Sequence, residues 1–188
     1  KILLSDNPHD SITVMVNFCR KEYGEIERGW SVVDVGGNIG VFMLLAARAG
    51  ASSVFCYEPN AAALSVLKAN IEENAVGDRV RAFRMAVSAQ SGERLFIPQA
   101  SSPYNKAQKI AGETNAAVEV VETTSLQEIL DHNRLDKIDL IKLDCEGAEY
   151  EILLGTPDSA LKKVRRIRME LHSSREYTRE EIFARLSG

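Results

Sequence analysis

The sequence predicts an α/β fold, a mostly parallel sheet with helices on both faces. Short β-branched runs alternate with helical stretches, the pattern of βαβ units. A glycine-rich turn joins the first such run to the first strong helix, the context in which such turns bind ligands. The 188 residues suffice for one well-filled core and are too few for two comfortable domains.

Taken in order, residues 11–22 read as a helix preceding the sheet, despite their β-branched content. Residues 31–35 form a buried first strand with Trp30 packed beneath it, and 39–49 form an Ala- and Leu-rich helix stopped by Gly50. A second strand covers 54–57, and Asn60 then caps a helix to about Glu73. Residues 80–85 read as a third strand and 95–97 as a short one. Between 88 and 117 the alternation fades, and the polar stretch 100–117 reads as a long functional loop. Strands at 118–122, 138–143 and 164–171 follow, with helices at 125–133, 147–154 and 179–186.

With 45% hydrophobic and 27% charged residues and a net charge of -4, the composition is ordinary for a globular protein. The mild negative charge argues against a nucleic-acid partner, since a phosphate-tracking surface needs a basic excess. Cys19, Cys56 and Cys145 have no paired short spacing, which is poor material for a disulfide framework or a zinc site; free thiols in a reducing cytoplasm are expected. No apolar run approaches the ~20 residues that span a bilayer, and residues 1–10 carry no secretory signal. Because the chain starts at Lys1, part of the N-terminus is expected to be absent. Oligomeric state is not legible.

The most informative segment is Val33-Asp34-Val35-Gly36-Gly37-Asn38-Ile39-Gly40. Its glycines let the backbone turn tightly and approach a ligand. The N–H groups opening the next helix are expected to face that ligand. Glu58 ends the second strand near the offset, about 20 residues, at which a ribose-binding acid belongs. Asp34 is expected to discriminate between ligands, repelling a pyrophosphate and attracting the sulfonium and ammonium of S-adenosylmethionine. Asn38 also departs from the G-x-G-x-x-G spacing. In the competing reading, Asp34 only caps a turn and the glycines are structural.

Three blocks together resemble the FkbM-type methyltransferase family: Asp34-Val35-Gly36-Gly37-Asn38-Ile39-Gly40, Tyr57-Glu58-Pro59-Asn60 and Ile141-Lys142-Leu143-Asp144-Cys145-Glu146-Gly147-Ala148-Glu149. Thr124-Ser125-Leu126 and Met169-Glu170-Leu171-His172 extend the likeness, which runs from about Trp30 to His172. The resemblance implies a Rossmann-like class I methyltransferase fold with S-adenosyl-L-methionine as cofactor. It also implies methyl transfer to a hydroxyl of a sugar, glycolipid or polyketide-type natural product. Residues 30–188 then form the cofactor-binding domain and 1–29 an N-terminal helical or lid segment. The cofactor-binding residues would be Asp34, Gly36, Gly37, Asn38, Gly40, Glu58, Pro59, Asn60, Ala86 (through its backbone, beside adenine) and Asp144. Two departures stand out. Gly37 replaces a usual alanine, a mild change, and the chain ends before the antiparallel strand pair that normally closes such sheets, so those C-terminal strands are expected to be missing.

Ligand crevices of open α/β sheets lie beyond the carboxyl ends of the strands, where Asp34, Glu58, Asp144 and His172 all fall. Alternation places Ile138, Leu140, Lys142 and Asp144 on one side of their strand. A lysine in so apolar a strand needs an anion, and Asp144 or Glu146 is the obvious candidate. Lys142 is read equally as a structural ion pair or a catalytic group. The candidates for a general base are Asp144, Glu146 and His172, the histidine being an ordinary residue unless it faces Asp144. Asp144, Glu146, Glu170 and His172 can assemble a hard-metal site, but no stretch has a ligand spacing that compels one, and no metal is expected. Tyr23, Tyr104 and Asn105 lie where a lid would, and the basic cluster at 162–168 reads as a solvated face. The competing classes are an NAD(P)-dependent oxidoreductase and a non-catalytic methyltransferase-like scaffold.

Overall fold

The computed structural model describes residues 1–20, 22–98 and 118–187; the expectations placed on Tyr104, Asn105 and the 100–117 loop lie outside these. Five parallel strands form the main sheet: β1 (Ser31–Val35), β2 (Ser53–Tyr57), β3 (Val80–Phe83), β7 (Leu140–Leu143) and β8 (Ile167–Met169). Their spatial order is β3-β2-β1-β7-β8, so the direction of winding reverses beside β1. A smaller sheet joins β4 (Ala86–Val87), β6 (Val118–Thr124) and β5 (Arg94–Pro98), with β5 antiparallel to β6. The strand expected over 80–85 therefore divides. After Phe83 the chain leaves the main sheet, and Ala86 and Val87 pair with Thr123 and Thr124 instead.

Alternating side chains divide the core into two layers. Val32, Val54 and Leu140 pack under α2 (Val41–Ala49) and α3 (Ala61–Glu73), together with Trp30. Val33, Phe55, Ile141 and Leu143 face the other way, onto α4 (Leu126–His132), α5 (Glu149–Gly155), α6 (Asp158–Leu161) and α7 (Arg179–Ser187). Ile138 departs from the expected alternation. It lies before β7, bridged to Val164, and packs in the layer opposite Leu140. The helix starts are legible in the chain: the side chains of Asn60 and Ser125 accept the N–H groups of Ala63 (3.0 Å) and Glu128 (3.2 Å).

The N-terminal segment forms α1 (Asp10–Val14), which continues as a wider π-helical stretch, Met15–Arg20. Two arginines of the basic cluster tie the chain that follows to β8. Arg166 lies over the Trp30 ring at 4.5 Å, and Arg168 donates to the carbonyls of Tyr23 and Glu25. That cluster is thus partly an anchor, not only a solvated face. Among the described residues, β8 is followed by α7 alone, and no helix is long and apolar enough to cross a membrane. All three cysteines are free thiols.

Candidate active site

Register lines up the ends of four strands. Val35 pairs with both Tyr57 and Leu143, and Leu143 pairs with Met169. The next residue of each strand is then Gly36, Glu58, Asp144 or Glu170, a row along the carboxyl edge of the sheet. This edge borders a cavity of about 740 Å³, within the range of small-molecule sites. Gly36, Gly37, Asn38, Glu58, Pro59, Ala86, Lys142, Asp144, Glu146 and His172 all line it. Gly40 and Asn60 do not: Gly40 is packed against Met43 and Leu67, while Asn60 caps α3.

The turn is wired internally. The N–H groups of Gly36 and Gly37 donate to the Tyr57 carbonyl at 3.0 and 3.1 Å, and that of Gly40 to the Gly37 carbonyl at 2.8 Å. The Asn38 N–H, at a left-handed φ of 49°, donates to Glu58 Oε2 at 2.8 Å. The neighbouring strand and Glu58 thus take the amides of Gly36, Gly37 and Asn38, while Val41 and Phe42, which open the next helix, line the cavity. Glu58 Oε1 accepts the Asn60 N–H at 2.8 Å, so both carboxylate oxygens are held in place with lone pairs to spare. Burial pushes the Glu58 carboxyl up to about 7, against the opposing effect of those two N–H groups.

Asp34 is wholly buried beneath the turn and does not line the cavity. Its cross-strand neighbours are Lys142 and Cys56. Lys142 Nζ lies 3.2 Å from Asp34 Oδ1 and 3.7 Å from Asp144 Oδ2, and donates to the Gly36 carbonyl at 2.7 Å. Asp34 is thus the nearer anion, and Asp144, one of the two partners expected, is the second. Burial works to lower the Lys142 pKa, yet Asp34 and Asp144 together hold it above its ordinary value. The pair neutralises itself below the floor of the cavity, so Asp34 has little charge left to choose a ligand.

At the other end, Tyr23 donates to Asp144 Oδ2 at 2.9 Å. His172 Nδ1 lies 3.0 Å from Oε1 of the fully buried Glu149, which also accepts the Cys145 N–H at 2.9 Å. His172 Nε2 points toward Glu146 (3.6 Å) and Glu170 (3.8 Å). Burial opposes protonation of His172, but Glu149, Glu146 and Glu170 raise its pKa overall. Glu146 carries a left-handed φ of 57°, and burial raises its carboxyl, partly countered by His172. The sequence reading gave Glu149 no role; its place in the K-x-D-x-E-G-x-E block was the signal.

A profile described as the methyltransferase FkbM domain matches residues 34–186. The chain belongs to the FkbM methyltransferase family. The hexuronic acid methyltransferase AglP of Haloferax volcanii is 30% identical to this FkbM domain over 140 residues, covering 74% of this chain and 55% of that one. The 31-O-demethyl-FK506 methyltransferase FkbM of Streptomyces tacrolimicus is 28% identical over 189 residues, covering 85% and 72%. The crystal structure of methyltransferase FkbM from Methylobacillus flagellatus KT superposes with a TM-score of 0.51 at 17% identity, over 76% of this chain and 32% of that one. That likeness concerns the fold, which is the Rossmann-like class I methyltransferase fold. The chain spans less than two thirds of the length of several curated relatives it matches.

Within this FkbM domain, Gly37 is not the mild departure expected. A Cβ there would lie 2.2 Å from Cys56 Sγ, so the thiol occupies the space of the usual alanine methyl. Gly37→Ala is expected to cost about 1–3 kcal/mol by overpacking, and adding Cys56→Ala is expected to restore most of it. Urea unfolding of the two single variants and the double variant checks this. Equal losses from Gly37→Ala in both backgrounds would contradict the packing account.

Proposed function

We propose that the protein is an S-adenosyl-L-methionine-dependent methyltransferase acting on a hydroxyl of a small molecule, a sugar, glycolipid or natural product. The observation that carries this is Glu58, its two oxygens fixed by the Asn38 and Asn60 N–H groups, set beside the glycine turn in an acid-lined cavity. Here the described lining carries six carboxylates, Glu22, Glu58, Asp144, Glu146, Glu151 and Glu170, against Lys142 and two histidines. That field favours a cationic nucleoside over an anionic one. The residues fit the cofactor: Glu58 has lone pairs for both ribose hydroxyls, and Pro59, Met85, Ala86, Val87 and Leu95 offer an apolar wall for adenine. Asp144, which follows β7 and stands against Gly36, is an acid suited to the ammonium end.

S-adenosylmethionine, when bound, supplies a methyl group on a sulfonium with a neutral thioether as leaving group. The chain's part is to align the acceptor and take its proton. Glu146 is the base in this reading: it lines the cavity, and its raised pKa makes it a stronger base than an ordinary carboxylate. Glu149 orients His172, and Lys142 holds the turn through the Gly36 carbonyl. Residues 1–29 serve as a lid over the domain formed by 30–188, which His9, Thr13, Asn17 and Tyr23 support by lining the same cavity. Cytoplasmic residence suits three free thiols.

At millimolar concentration, S-adenosylhomocysteine is expected to raise the melting temperature by several degrees and NADH to leave it unchanged. Stabilisation by NADH alone would overturn the reading in favour of an oxidoreductase. Transfer of a radiolabelled methyl group to a hydroxylated acceptor panel separates an enzyme from a scaffold.

A further inference from the structure

We propose that Asp144, Glu170 and His172 hold a divalent cation of the Mg²⁺ or Mn²⁺ kind beside the acceptor. The inference rests on the methyltransferase reading only for its purpose; the site itself stands on geometry. One ligand atom from each of the three residues lies within 4.8 Å of the other two. Ligands sharing an ion at about 2.0–2.4 Å stand roughly 3–5 Å apart. The 3.8 Å from His172 Nε2 to Glu170 Oε1 is too long for a hydrogen bond and suits two ligands of one ion.

Acidity alone would not make a site, and two further observations point to a ligand. The first is the imidazole. Its Nδ1 is taken by Glu149, a fully buried carboxylate whose Oε1 also accepts the Cys145 N–H. That contact makes Nδ1 the protonated nitrogen and leaves the Nε2 lone pair aimed at the cluster, the carboxylate–histidine arrangement that orients metal-bound imidazoles. The other Glu149 oxygen, Oε2, is buried with no hydrogen-bond partner among the described residues, so the Cys145 N–H is the one further donor to this carboxylate among them. The second is Asp144. Tyr23 and Lys142 both address Oδ2, and among the described residues no hydrogen bond reaches Oδ1.

Topology explains why no short sequence spacing announces the site. Asp144 follows β7 and Glu170 follows β8, and the two strands are neighbours in register. Glu146 is not one of these three residues, although its Oε2 lies 3.6 Å from His172 Nε2, and it keeps its role as the base. A cation here would draw charge from the acceptor hydroxyl and make its proton easier to remove. The balance is simple: the hydroxyl proton passes to Glu146, the oxygen forms the new bond to the methyl carbon, and sulfur keeps the electron pair of the broken C–S bond.

The test is a Mn²⁺ titration of the full chain, freed of metal by chelation and followed by electron paramagnetic resonance, without cofactor. One saturable Mn²⁺ per chain is expected. Glu170→Gln and His172→Gln are each expected to weaken it at least tenfold, with Glu146→Gln changing it less than threefold. The Glu170 side chain is 60% exposed, so its variant tests the site without burdening the fold. No saturable Mn²⁺, or unchanged affinity in both ligand variants, overturns the proposal. S-adenosylhomocysteine binding, measured in parallel by calorimetry, separates the two readings: nucleoside binding without Mn²⁺ sinks only the metal site, and Mn²⁺ binding without the nucleoside sinks only the methyltransferase reading.

Discussion

Replacing Glu58 with alanine is expected to weaken S-adenosylhomocysteine binding by about 10²–10⁴-fold. A hydrogen bond to a charged group contributes about 1.5–3 kcal/mol, and this carboxylate serves two ribose hydroxyls, so the loss is roughly 3–6 kcal/mol at about 1.4 kcal/mol per decade. The variant also strands the N–H groups of Asn38 and Asn60, which lose their acceptor. Calorimetric titration reads the result; a loss below fivefold would remove Glu58 from the binding site.

The same residue sets a pH dependence whose sign can be worked out. The ionised carboxylate is the better acceptor for ribose, so affinity is full above the Glu58 pKa of about 7 and falls as pH drops through it. Stability runs the other way. Between the ordinary 4.5 and about 7 the folded chain holds a proton that the unfolded chain has released. This group's contribution to stability therefore declines as pH rises across that window. Glu58→Gln is expected to flatten both dependences. Its single acceptor oxygen cannot serve both backbone N–H groups, so some affinity is lost at every pH.

Glu146→Gln is expected to lower kcat by about 10²–10⁴-fold, the usual contribution of a positioned base. Cofactor affinity is expected to stay within about threefold, because Glu146 touches neither Glu58 nor the turn amides. Since burial raises the Glu146 carboxyl, the acid limb of the wild-type kcat profile should lie above the ordinary carboxylate range. That limb should disappear in the variant. A wild-type rate in Glu146→Gln would assign the proton elsewhere. Glu146→Gly is a useful companion. With φ at 57° the native backbone sits where glycine is comfortable, so this variant should be at least as stable and equally inactive.

The places where sequence reasoning stopped short share one character. The order of strands and helices, the Asn60 and Ser125 caps and the position of Glu58 all follow from periodicity and local chemistry, and the chain folds accordingly. Asp144 does pair with Lys142, but the nearer partner did not follow, because β1 and β7 are far apart in sequence and their register alone sets Asp34 opposite it. The routing of the turn amides to Tyr57 and Glu58, and the collision awaiting a methyl group at Gly37, likewise depend on a neighbouring strand.

By itself, the sequence determined the α/β class, the glycine turn, the acid after the second strand and membership of the family. These are written in short stretches, where hydrophobic period, caps and glycine conformations act within a few residues. Only the tertiary structure decided that Asp34 is neutralised below the floor, that Glu149 turns His172 toward Glu146 and Glu170, and that Asp144 meets Glu170 at one edge. Those relations depend on lateral strand register and burial, which arise when distant segments pack and are encoded in no single one of them.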